Sequence, residues 1–350
     1  MSLFEHKEFD QHEQVVFCHD KETGLKAIIA IHDTTLGPSL GGTRLWNYAS
    51  SAEALTDVLR LSRGMTYKSA MAGLPLGGGK AVIIGDAKTI KTPELMRAYG
   101  RFVNSLSGRY ITAEDVNIRT SDIAYVAEET NFVAGTAEKA GDPSPHTALG
   151  TYLGLKAAAK HKFGSDNLQG LKIAVQGLGA VGYDFAEYCH KEGAQLFVTD
   201  INEEACARAA QELNATVVGL DEIYGLDVDV YSPCALGATV NDDTLKQIKA
   251  KVIAGSANNQ LATPAHDQVV MDMGILYAPD YVINAGGVIH VCSEAANMSR
   301  AETDQRVRDI YDTLDKIFTR SAAEKRPTGQ IADQMAQEII ANAKAAKTAG

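Results

Sequence analysis

Apolar residues form short runs and helix-like stripes along the first part of the chain. Runs at 25–31, 80–85 and 109–112 are mostly apolar and predict buried strands. Between the first two, residues 51–71 carry apolar side chains three and four positions apart, which predicts a helix. Thr92-Pro93-Glu94 predicts the start of another helix, because threonine caps a helix N-terminus and proline fits the first turn.

The pattern becomes a regular alternation after the turn-rich segment Ala140-Gly141-Asp142-Pro143-Ser144-Pro145, which predicts a domain boundary. A proline-started helix should follow it to about Lys162. Two amphipathic helices, at about 301–324 and 331–347, complete the chain. This alternation is typical of an α/β fold with a parallel sheet. The strands predicted beyond the boundary lie at 171–176, 195–200, 228–232, 252–255 and 281–284.

Composition and charge exclude several functional classes. With 350 residues, of which 45% are hydrophobic, the chain is long enough for two domains with full cores. Its net charge of −11 argues against binding of nucleic acid or of an anionic membrane through bulk charge. No apolar run approaches the roughly 20 residues of a membrane span and the chain does not start as a signal peptide, so we expect a cytoplasmic protein. The five cysteines and nine histidines are dispersed, which predicts free thiols and no metal site.

The segment Gly177-Leu178-Gly179-Ala180-Val181-Gly182 lies between a predicted strand and a predicted helix. In this context glycines allow a tight turn, close approach of the backbone to a pyrophosphate, and packing of the helix on the strand. Asp200 ends the next strand about 20 residues later, where a carboxylate binds a ribose hydroxyl and repels a 2′-phosphate. Ile201 and Asn202 follow, without the adjacent arginine that NADP would favour. The segment therefore predicts NAD binding; the alternative is a glycine-rich turn that binds nothing.

Two further segments carry asparagines just past predicted strands. Asn258-Asn259 follows the strand at 252–255, and Asn284 begins Asn284-Ala285-Gly286-Gly287 at the end of the strand at 281–284. Ligands of open α/β sheets bind at the carboxyl ends of strands, so these amides are candidate ligand-binding groups. Asparagine is also a common turn former, and the sequence leaves both interpretations open.

Lys68 is the first of two lysines that the pattern singles out. It continues the helical stripe of Val58, Leu61 and Met65, so it should point toward the interior. The alternative is a lysine that extends to solvent near a helix C-terminus, where the helix dipole favours a cation.

Lys80 is the second, and it follows Gly77-Gly78-Gly79 at the start of an apolar strand. The segment is not a phosphate-binding loop, because position 74 is Leu and Ala81 stands where that motif needs Ser or Thr. A lysine at the mouth of a buried strand loses hydration, which disfavours its charged form and suits it to act as a general base. Asp115 is placed to balance the charge and to shuttle protons; the alternative for Asp115 is a helix cap or a surface turn.

Three segments now carry a resemblance to a known family. They read Gly-Met-Thr-Tyr-Lys at 64–68, Gly-Gly-Gly-Lys at 77–80 and Gly-Ser-Ala-Asn-Asn-Gln-Leu at 255–261. Together they resemble the amino-acid dehydrogenases that act on glutamate, leucine, phenylalanine or valine. The resemblance runs nearly end to end, from residue 13 to residue 287.

The resemblance implies an α/β fold of two domains separated by a cleft. A mixed-sheet substrate domain at 1–140, joined by the C-terminal helices at about 326–350, faces a doubly wound Rossmann domain for NAD at 141–325. It also implies a reversible oxidative deamination, in which an L-amino acid, NAD⁺ and water give a 2-oxo acid, ammonium and NADH. Members of the family are homo-oligomers, so a dimer or an octamer is expected.

The resemblance also assigns roles to residues. Lys68 pairs with the substrate carboxylate, Lys80 is the base that activates water against the imine, and Asp115 assists proton transfer. Further residues that it places around the substrate are Gly41, Met65 and Asn259. Those that it places around the dinucleotide, besides the glycine segment and Asp200, are Thr147, Thr151, Tyr183, Ala257, Asn258 and Asn284.

The side-chain pocket maps by resemblance to four apolar residues, Leu40, Ala113, Val288 and Val291. Such a pocket can bury an aliphatic side chain but cannot pair a carboxylate, which favours Leu, Ile or Val over glutamate. The alternatives are an aromatic substrate, Phe or Trp, and more remotely an NAD-binding scaffold without catalysis.

The sequence departs from the branched-chain members of the family at three places. Asn117-Ile118-Arg119 stands where Gly-Thr-Thr is usual, Ala134 replaces a threonine beside the pocket, and His290 replaces an asparagine. These departures bear on the range of substrates and leave aromatic amino acids open.

Overall fold

The computed structural model describes residues 3–135, 141–293 and 295–349, which form two compact units. Unit 1 comprises Met1–Gly141, Val291–Ser299 and Ala336–Gly350, and unit 2 comprises Asp142–His290 and Arg300–Met335. The first division of the chain therefore falls inside the turn-rich segment, of which Ala140 lies outside the described residues.

The chain returns from unit 2 to unit 1 at Ala336, later than the expected position near 326. The hydroxyl of Thr328 donates to the carbonyl oxygen of Tyr277, and the backbone N–H groups of Gly329 and Gln330 donate to Asp267. These bonds keep the first turn of the last helix in unit 2. The segment Val291–Ser299 is an additional part of unit 1 that the sequence pattern did not separate.

Unit 1 is built on a mixed five-stranded sheet. The order of its strands is β1-β2-β4-β3-β5; β3 is parallel to β4 and β5, whereas β2 is antiparallel to β1 and β4. The pattern predicted β2, β4 and β5 but missed β1 and β3, because β3 interrupts its apolar residues with two glycines and buried polar groups. The strands are β1 (Gln14–Asp20), β2 (Leu25–Asp33), β3 (Ser39–Trp46), β4 (Gly77–Ile84) and β5 (Tyr110–Glu114).

Helices cover both faces of this sheet. The α1 side chains Val58 and Leu59 pack with Ile28 and Val82 on one face, and α3 and α4 enclose the larger core on the other. The predicted start of α3 is confirmed, since the hydroxyl of Thr92 accepts the N–H of Leu95 at 3.2 Å. The helices of unit 1 are α1 (Ser51–Met71), α2 (Ala87–Ile90), α3 (Pro93–Ser105) and α4 (Thr120–Ala127).

The buried face of α1 differs from the predicted apolar stripe. Val58 is buried as expected, but Leu61 and Met65 are only half-buried, and Ser62 and Thr66 lie inside in their place. The cause is the glycine strand below the helix. A Cβ atom added to Gly78 would overlap the backbone of Thr66, so small polar side chains are what fits there.

Unit 2 contains a parallel sheet with the strand order β11-β10-β9-β6-β7-β8. Counted within the unit, this is the strand order of doubly wound dinucleotide-binding folds, with the switch point between β6 and β9. The predicted fold class is confirmed. The strands are β6 (Lys172–Gln176), β7 (Gln195–Thr199), β8 (Thr216–Val217), β9 (Val230–Pro233), β10 (Val252–Ile253) and β11 (Leu276–Tyr277).

One predicted strand of unit 2 is wrong. Residues 281–284 belong mostly to a helical turn, Asp280–Ile283, and the strand lies earlier, at Leu276–Tyr277. Three apolar residues followed by an asparagine are too few to separate a strand from a helix by periodicity. Pro279, with φ of −54°, precedes the turn, and the Asp280 carboxylate accepts the N–H of Tyr281 at 2.6 Å.

The helix that follows the turn-rich segment and the two C-terminal helices lie near their predicted bounds. Among the helices of the described residues, none has the length and apolar content to cross a bilayer. The helices are α5 (Ser144–Phe163), α6 (Ala180–Lys191), α7 (Glu203–Leu213), α8 (Ala265–Asp272), α9 (Asp280–Ile283), α10 (Gly286–Cys292), α11 (Arg300–Glu324) and α12 (Thr328–Ala349).

Candidate active site

Lys80 and Asp115 form a close ion pair in unit 1. Lys80 Nζ lies 2.7 Å from Asp115 Oδ2, and only 8% of Lys80 is exposed. Lys80 stands inside β4, the middle strand, and Gly77-Gly78-Gly79 are themselves residues of that strand. The expectation that Lys80 begins the strand below a flexible glycine run is therefore wrong. The glycines are extended, and neighbouring atoms, such as the Tyr110 ring beside Gly79, leave no room for side chains at these positions.

The electrostatic surroundings favour an ionised Asp115. Burial raises the pKa of this carboxyl group, but the positive charge of Lys80, its hydrogen bond and then Arg44 outweigh burial. The net pKa of Asp115 therefore lies below its ordinary value. Arg44 Nε is 3.4 Å from the same carboxylate oxygen that contacts Lys80, so two cations share one oxygen.

Two glycines of β3 make this arrangement possible. A Cβ atom on Gly41 would overlap the carbonyl oxygen of Gly79, and one on Gly42 would lie 2.9 Å from the Cβ of Asp115. The carbonyl oxygen of Gly41 also accepts a hydrogen bond from the Tyr110 hydroxyl at 2.7 Å. Gly41, predicted as a substrate-binding residue, thus has a packing requirement of its own, and Gly42 was missed by the sequence interpretation.

The turn after Asp115 explains one departure from the family pattern. Asn117 has φ of +61°, in the left-handed region that glycine adopts freely and asparagine tolerates better than most residues. Its Nδ2 donates to the carbonyl oxygen of Leu45 at 3.0 Å, and Leu45 N donates to that of Val116 at 3.0 Å. Asparagine therefore replaces the usual glycine and also fastens the turn to β3.

Lys68 and Met65 are half-buried on α1, beside the fully buried stripe. Burial raises the pKa of the Cys292 thiol to about 12, and the positive charge of Lys68 opposes this shift, which places Lys68 near Cys292 in unit 1. All five cysteines are free thiols. Among the described residues, no group of three His, Cys, Asp or Glu side chains is arranged to hold a metal ion.

The predicted pocket residues divide between the units. Leu40 and Ala113 are buried in neighbouring strands of unit 1, and the register pairs them with Gly78 and Gly42 respectively. Val291 also belongs to unit 1, whereas Val288 belongs to unit 2.

The glycine segment of unit 2 has the geometry of a phosphate-binding turn. Gly177 has φ of +101°, and a Cβ atom on Gly182 would overlap the carbonyl oxygen of Gly177. A Cβ atom on Gly179 would meet nothing within 4 Å, and no side chain caps the N-terminus of α6 that Gly179 begins. Backbone N–H groups at a helix N-terminus, next to open space, suit the pyrophosphate of a dinucleotide.

Asp200 follows β7 and faces the glycine segment. Its Oδ2 accepts the N–H of Leu178 at 2.6 Å, and its Oδ1 accepts the N–H of Asn202 at 2.8 Å. Each carboxylate oxygen has two lone pairs, so the group has capacity left for ribose hydroxyls. Asp200 therefore orders the loop in addition to its predicted role.

Other predicted cofactor contacts are engaged within unit 2. The hydroxyl of Thr147 donates to Pro143 O at 3.0 Å, and that of Thr151 donates to Thr147 O at 2.8 Å. The Tyr183 hydroxyl donates to Glu212 of α7, which does not favour a cofactor role for this side chain. Of the other residues in the first turn of α6, Ala180 is exposed and Val181 is half-buried.

The predicted asparagines lie close together. Asn284 Nδ2 donates to Asn258 Oδ1 at 2.7 Å and to the carbonyl oxygen of Ser256 at 3.1 Å. Ala257 is buried, and the exposed Asn259 has φ of +52°. This cluster follows β10, at the carboxyl end of the parallel sheet where the sequence predicted a ligand.

Comparison with known proteins connects this geometry to a family. A family model described as Glu/Leu/Phe/Val dehydrogenase, dimerisation domain, matches residues 12–132. A second, described as Glutamate/Leucine/Phenylalanine/Valine dehydrogenase, matches residues 197–350.

Individual relatives match over nearly the whole chain. A leucine dehydrogenase of Geobacillus stearothermophilus is 53% identical over 351 residues, covering 99% of this chain and 96% of the relative. A leucine dehydrogenase of Bacillus cereus is 55% identical over 347 residues, covering 98% and 95% respectively. The crystal structure of L-tryptophan dehydrogenase from Nostoc punctiforme has a TM-score of 0.89 at 48% identity, covering 95% of this chain and 97% of that one.

Proposed function

The chain belongs to the Glu/Leu/Phe/Val dehydrogenase family, and we propose that it catalyses the reversible, NAD-dependent oxidative deamination of a branched-chain L-amino acid. The observation that carries the proposal is the buried pair of Lys80 and Asp115, with Nζ 2.7 Å from Oδ2. A lysine and a carboxylate in contact can pass a proton between them and to a bound molecule. A protein that only bound NAD would gain nothing from this pair, whose desolvation costs free energy.

The proposed reaction assigns a step to each charged residue. Lys68 binds the substrate carboxylate through a charge-assisted contact. Unit 2 would hold NAD⁺, which would supply the hydride acceptor; the substrate, after its ammonium group has lost one proton to solvent, becomes an iminium when the α-carbon gives up its hydride. Lys80, with its amine neutral, takes a proton from the water that attacks the iminium carbon, and Asp115 compensates the ammonium so formed. The proton then leaves with ammonia as the 2-oxo acid forms, and Lys80 returns to its starting state.

The dinucleotide is assigned to unit 2 and is proposed to be NAD. The open space at Gly179 and the uncapped start of α6 support binding of the pyrophosphate. The Asp200 carboxylate supports NAD over NADP, because it would repel a 2′-phosphate.

The substrate is proposed to be Leu, Ile or Val. The buried Leu40 lies on β3, which pairs with the strand of Lys80, and the buried Ala113 lies on β5, which pairs with β3. Apolar side chains at these positions favour an aliphatic substrate. The leucine dehydrogenases named above are 53% and 55% identical to this chain, against 48% for the tryptophan enzyme of known structure. We place the reaction in the cytoplasm, as the sequence predicts.

A panel assay tests the proposal. The purified chain is incubated with L-Leu, L-Ile, L-Val, L-Phe, L-Trp or L-Glu and with NAD⁺ or NADP⁺ at alkaline pH, and NADH formation is followed at 340 nm. We expect the best aliphatic substrate to exceed Phe and Trp by at least about tenfold in kcat/KM. A higher kcat/KM for Phe or Trp would assign the chain to the aromatic alternative. Binding of NADH without oxidation of any of these amino acids would support the scaffold alternative.

The proposal includes a homo-oligomer, because the family model that matches residues 12–132 is described as a dimerisation domain. Light scattering coupled to size-exclusion chromatography measures the mass directly. A mass equal to that of one 37.4 kDa chain would contradict this part of the proposal.

A further inference from the structure

Arg44 is the second cation on the catalytic carboxylate, and neither the sequence interpretation nor the reaction above gives it a role. It lies on β3, between the strand of Lys80 and the strand that leads to Asp115. Its Nε is 3.4 Å from Asp115 Oδ2, and Lys80 Nζ is 2.7 Å from the same oxygen. The side chain of Arg44 is itself largely buried, with 23% exposed.

Arg44 is fixed from its other side. Its Nη1 contacts Asp57 Oδ2 of α1 at 3.0 Å, and the Tyr48 hydroxyl donates to that oxygen at 2.7 Å. Burial opposes the charge of Arg44, but the carboxylates of Asp115 and Asp57 raise the pKa of its guanidinium above the ordinary value. Arg44 therefore carries a positive charge throughout the working pH range.

The charge on Lys80 changes during the proposed reaction, whereas the charge on Arg44 does not. When Lys80 is neutral and ready to accept a proton, Asp115 would be a mostly buried anion without a cation, which is unfavourable. Without a neighbouring cation, the Asp115 carboxylate would tend to take up a proton, and its side chain would move away from Lys80. Arg44 Nε supplies the missing cation at the oxygen that Lys80 uses.

We propose that Arg44 is a positioning residue, whose permanent charge holds Asp115 against Lys80 while Lys80 gives and takes a proton, and that Asp57 holds Arg44 in turn. The proposal rests on the proposed roles of Lys80 and Asp115. It extends the site by one layer, from the strands to helix α1.

The sign of the expected pH effect follows from the groups that surround Asp115. Lys80 faces it from β4 and Arg44 from β3; the titratable hydroxyls of Tyr48 and Tyr110 are also near, and Asp57 lies behind Arg44. Replacing Arg44 by a neutral residue removes a cation beside Asp115, which raises the pKa of that carboxyl group. This change moves the acidic limb of the rate profile to higher pH.

The test compares Arg44→Met and Arg44→Lys with the control Arg60→Met. Arg60 contacts Asp57 at 3.3 Å, but its side chain is 62% exposed. We expect Arg44→Met to lower kcat by about tenfold or more, with a smaller change in the KM for the amino acid, and to move the acidic limb up by about one pH unit. Arg44→Lys should recover part of the loss, and Arg60→Met should change kcat less than about twofold.

A folded Arg44→Met variant with wild-type kcat and an unmoved acidic limb would overturn the proposal. If circular dichroism shows that Arg44→Met is unfolded, Asp57→Asn takes its place, because it releases Arg44 without removing it. A lower kcat in folded Asp57→Asn, with a smaller change in the KM for the amino acid, supports the proposal, and a wild-type kcat overturns it.

A second readout separates this proposal from the proposed function. The rate at which acetic anhydride acetylates Lys80, measured by peptide mass spectrometry, requires no turnover. We expect slower acetylation of Lys80 in Arg44→Met than in the wild type at the same pH. If the acetylation rate of Lys80 does not change while the wild type is active, only the role of Arg44 is refuted. If the wild type oxidises no amino acid, the proposed function is refuted.

Discussion

Both units are rich in glycine at their candidate sites, but Gly179 of unit 2 differs from the glycines of unit 1. In unit 2, Gly179 borders open space at the start of a helix, so the missing side chain leaves room for a ligand. In unit 1, a Cβ atom on Gly42 would overlap the carbonyl oxygen of Glu114, and one on Gly78 would overlap the Thr66 backbone. There the missing side chains bring protein groups together. The same residue type therefore borders a proposed binding surface in one unit and lies in a tightly packed, proposed catalytic layer in the other.

The largest expected effect separates chemistry from dinucleotide binding. Lys80→Ala removes the proposed base, and we expect kcat to fall by about 10³-fold. NADH binding, measured by fluorescence titration, should stay within about twofold, because the dinucleotide is assigned to unit 2. Lys26→Ala on β2, where the lysine is exposed, is the control. A Lys80→Ala enzyme with near wild-type kcat would remove Lys80 from its role.

The next effect tests the glycines directly. Gly78→Ala should destabilise unit 1 by about 2 kcal/mol, because the added methyl group overlaps the backbone of α1. Gly179→Ala should leave stability within about 0.5 kcal/mol and weaken NADH binding, because its methyl group enters only the open space. Urea unfolding and NADH titration of both variants measure the two quantities. Equal loss of stability in the two variants would contradict the contrast between the units.

The smallest effect concerns the choice of dinucleotide. Asp200→Ala should raise the KM for NAD⁺ by about tenfold and narrow the preference over NADP⁺, because the repulsion of a 2′-phosphate is lost. Steady-state kinetics with both dinucleotides measures the ratio, and Glu203→Ala in the first turn of α7 is the control. If the ratio does not change in Asp200→Ala, another residue selects the dinucleotide.

Local sequence patterns predicted several elements. Helix α1 has the predicted bounds, Ser51–Met71, and the capped start of α3 was expected from Thr92. The glycine segment of unit 2 was recognised because its turn and helix are local in sequence. The parallel sheet followed from the regular alternation of strands and helices.

The rest depends on contacts between distant parts of the chain. Strand β3 was missed because its glycines and Arg44 break the alternation of apolar and polar residues that a half-buried strand shows. The reason for these residues lies in their partners on β4, on α1 and next to β5, which are distant in sequence. Tyr183 was assigned to the dinucleotide by resemblance, and its hydroxyl bond to Glu212 depends on a helix that is distant in sequence. The sequence pattern and the family resemblance both indicated Lys80 and Asp115, but the second cation on that carboxylate became visible only in three dimensions.

The placement of Lys80 on β4 has a consequence for which parts of the sequence can change in evolution or engineering. β4 has β2 on one side and β3 on the other, so its backbone is bonded along both edges. Such a strand opens only in large unfolding events, and its amides should be among the slowest to exchange with deuterium. Loops elsewhere can therefore acquire new lengths and sequences during evolution or engineering while the proton-transfer machinery keeps its geometry.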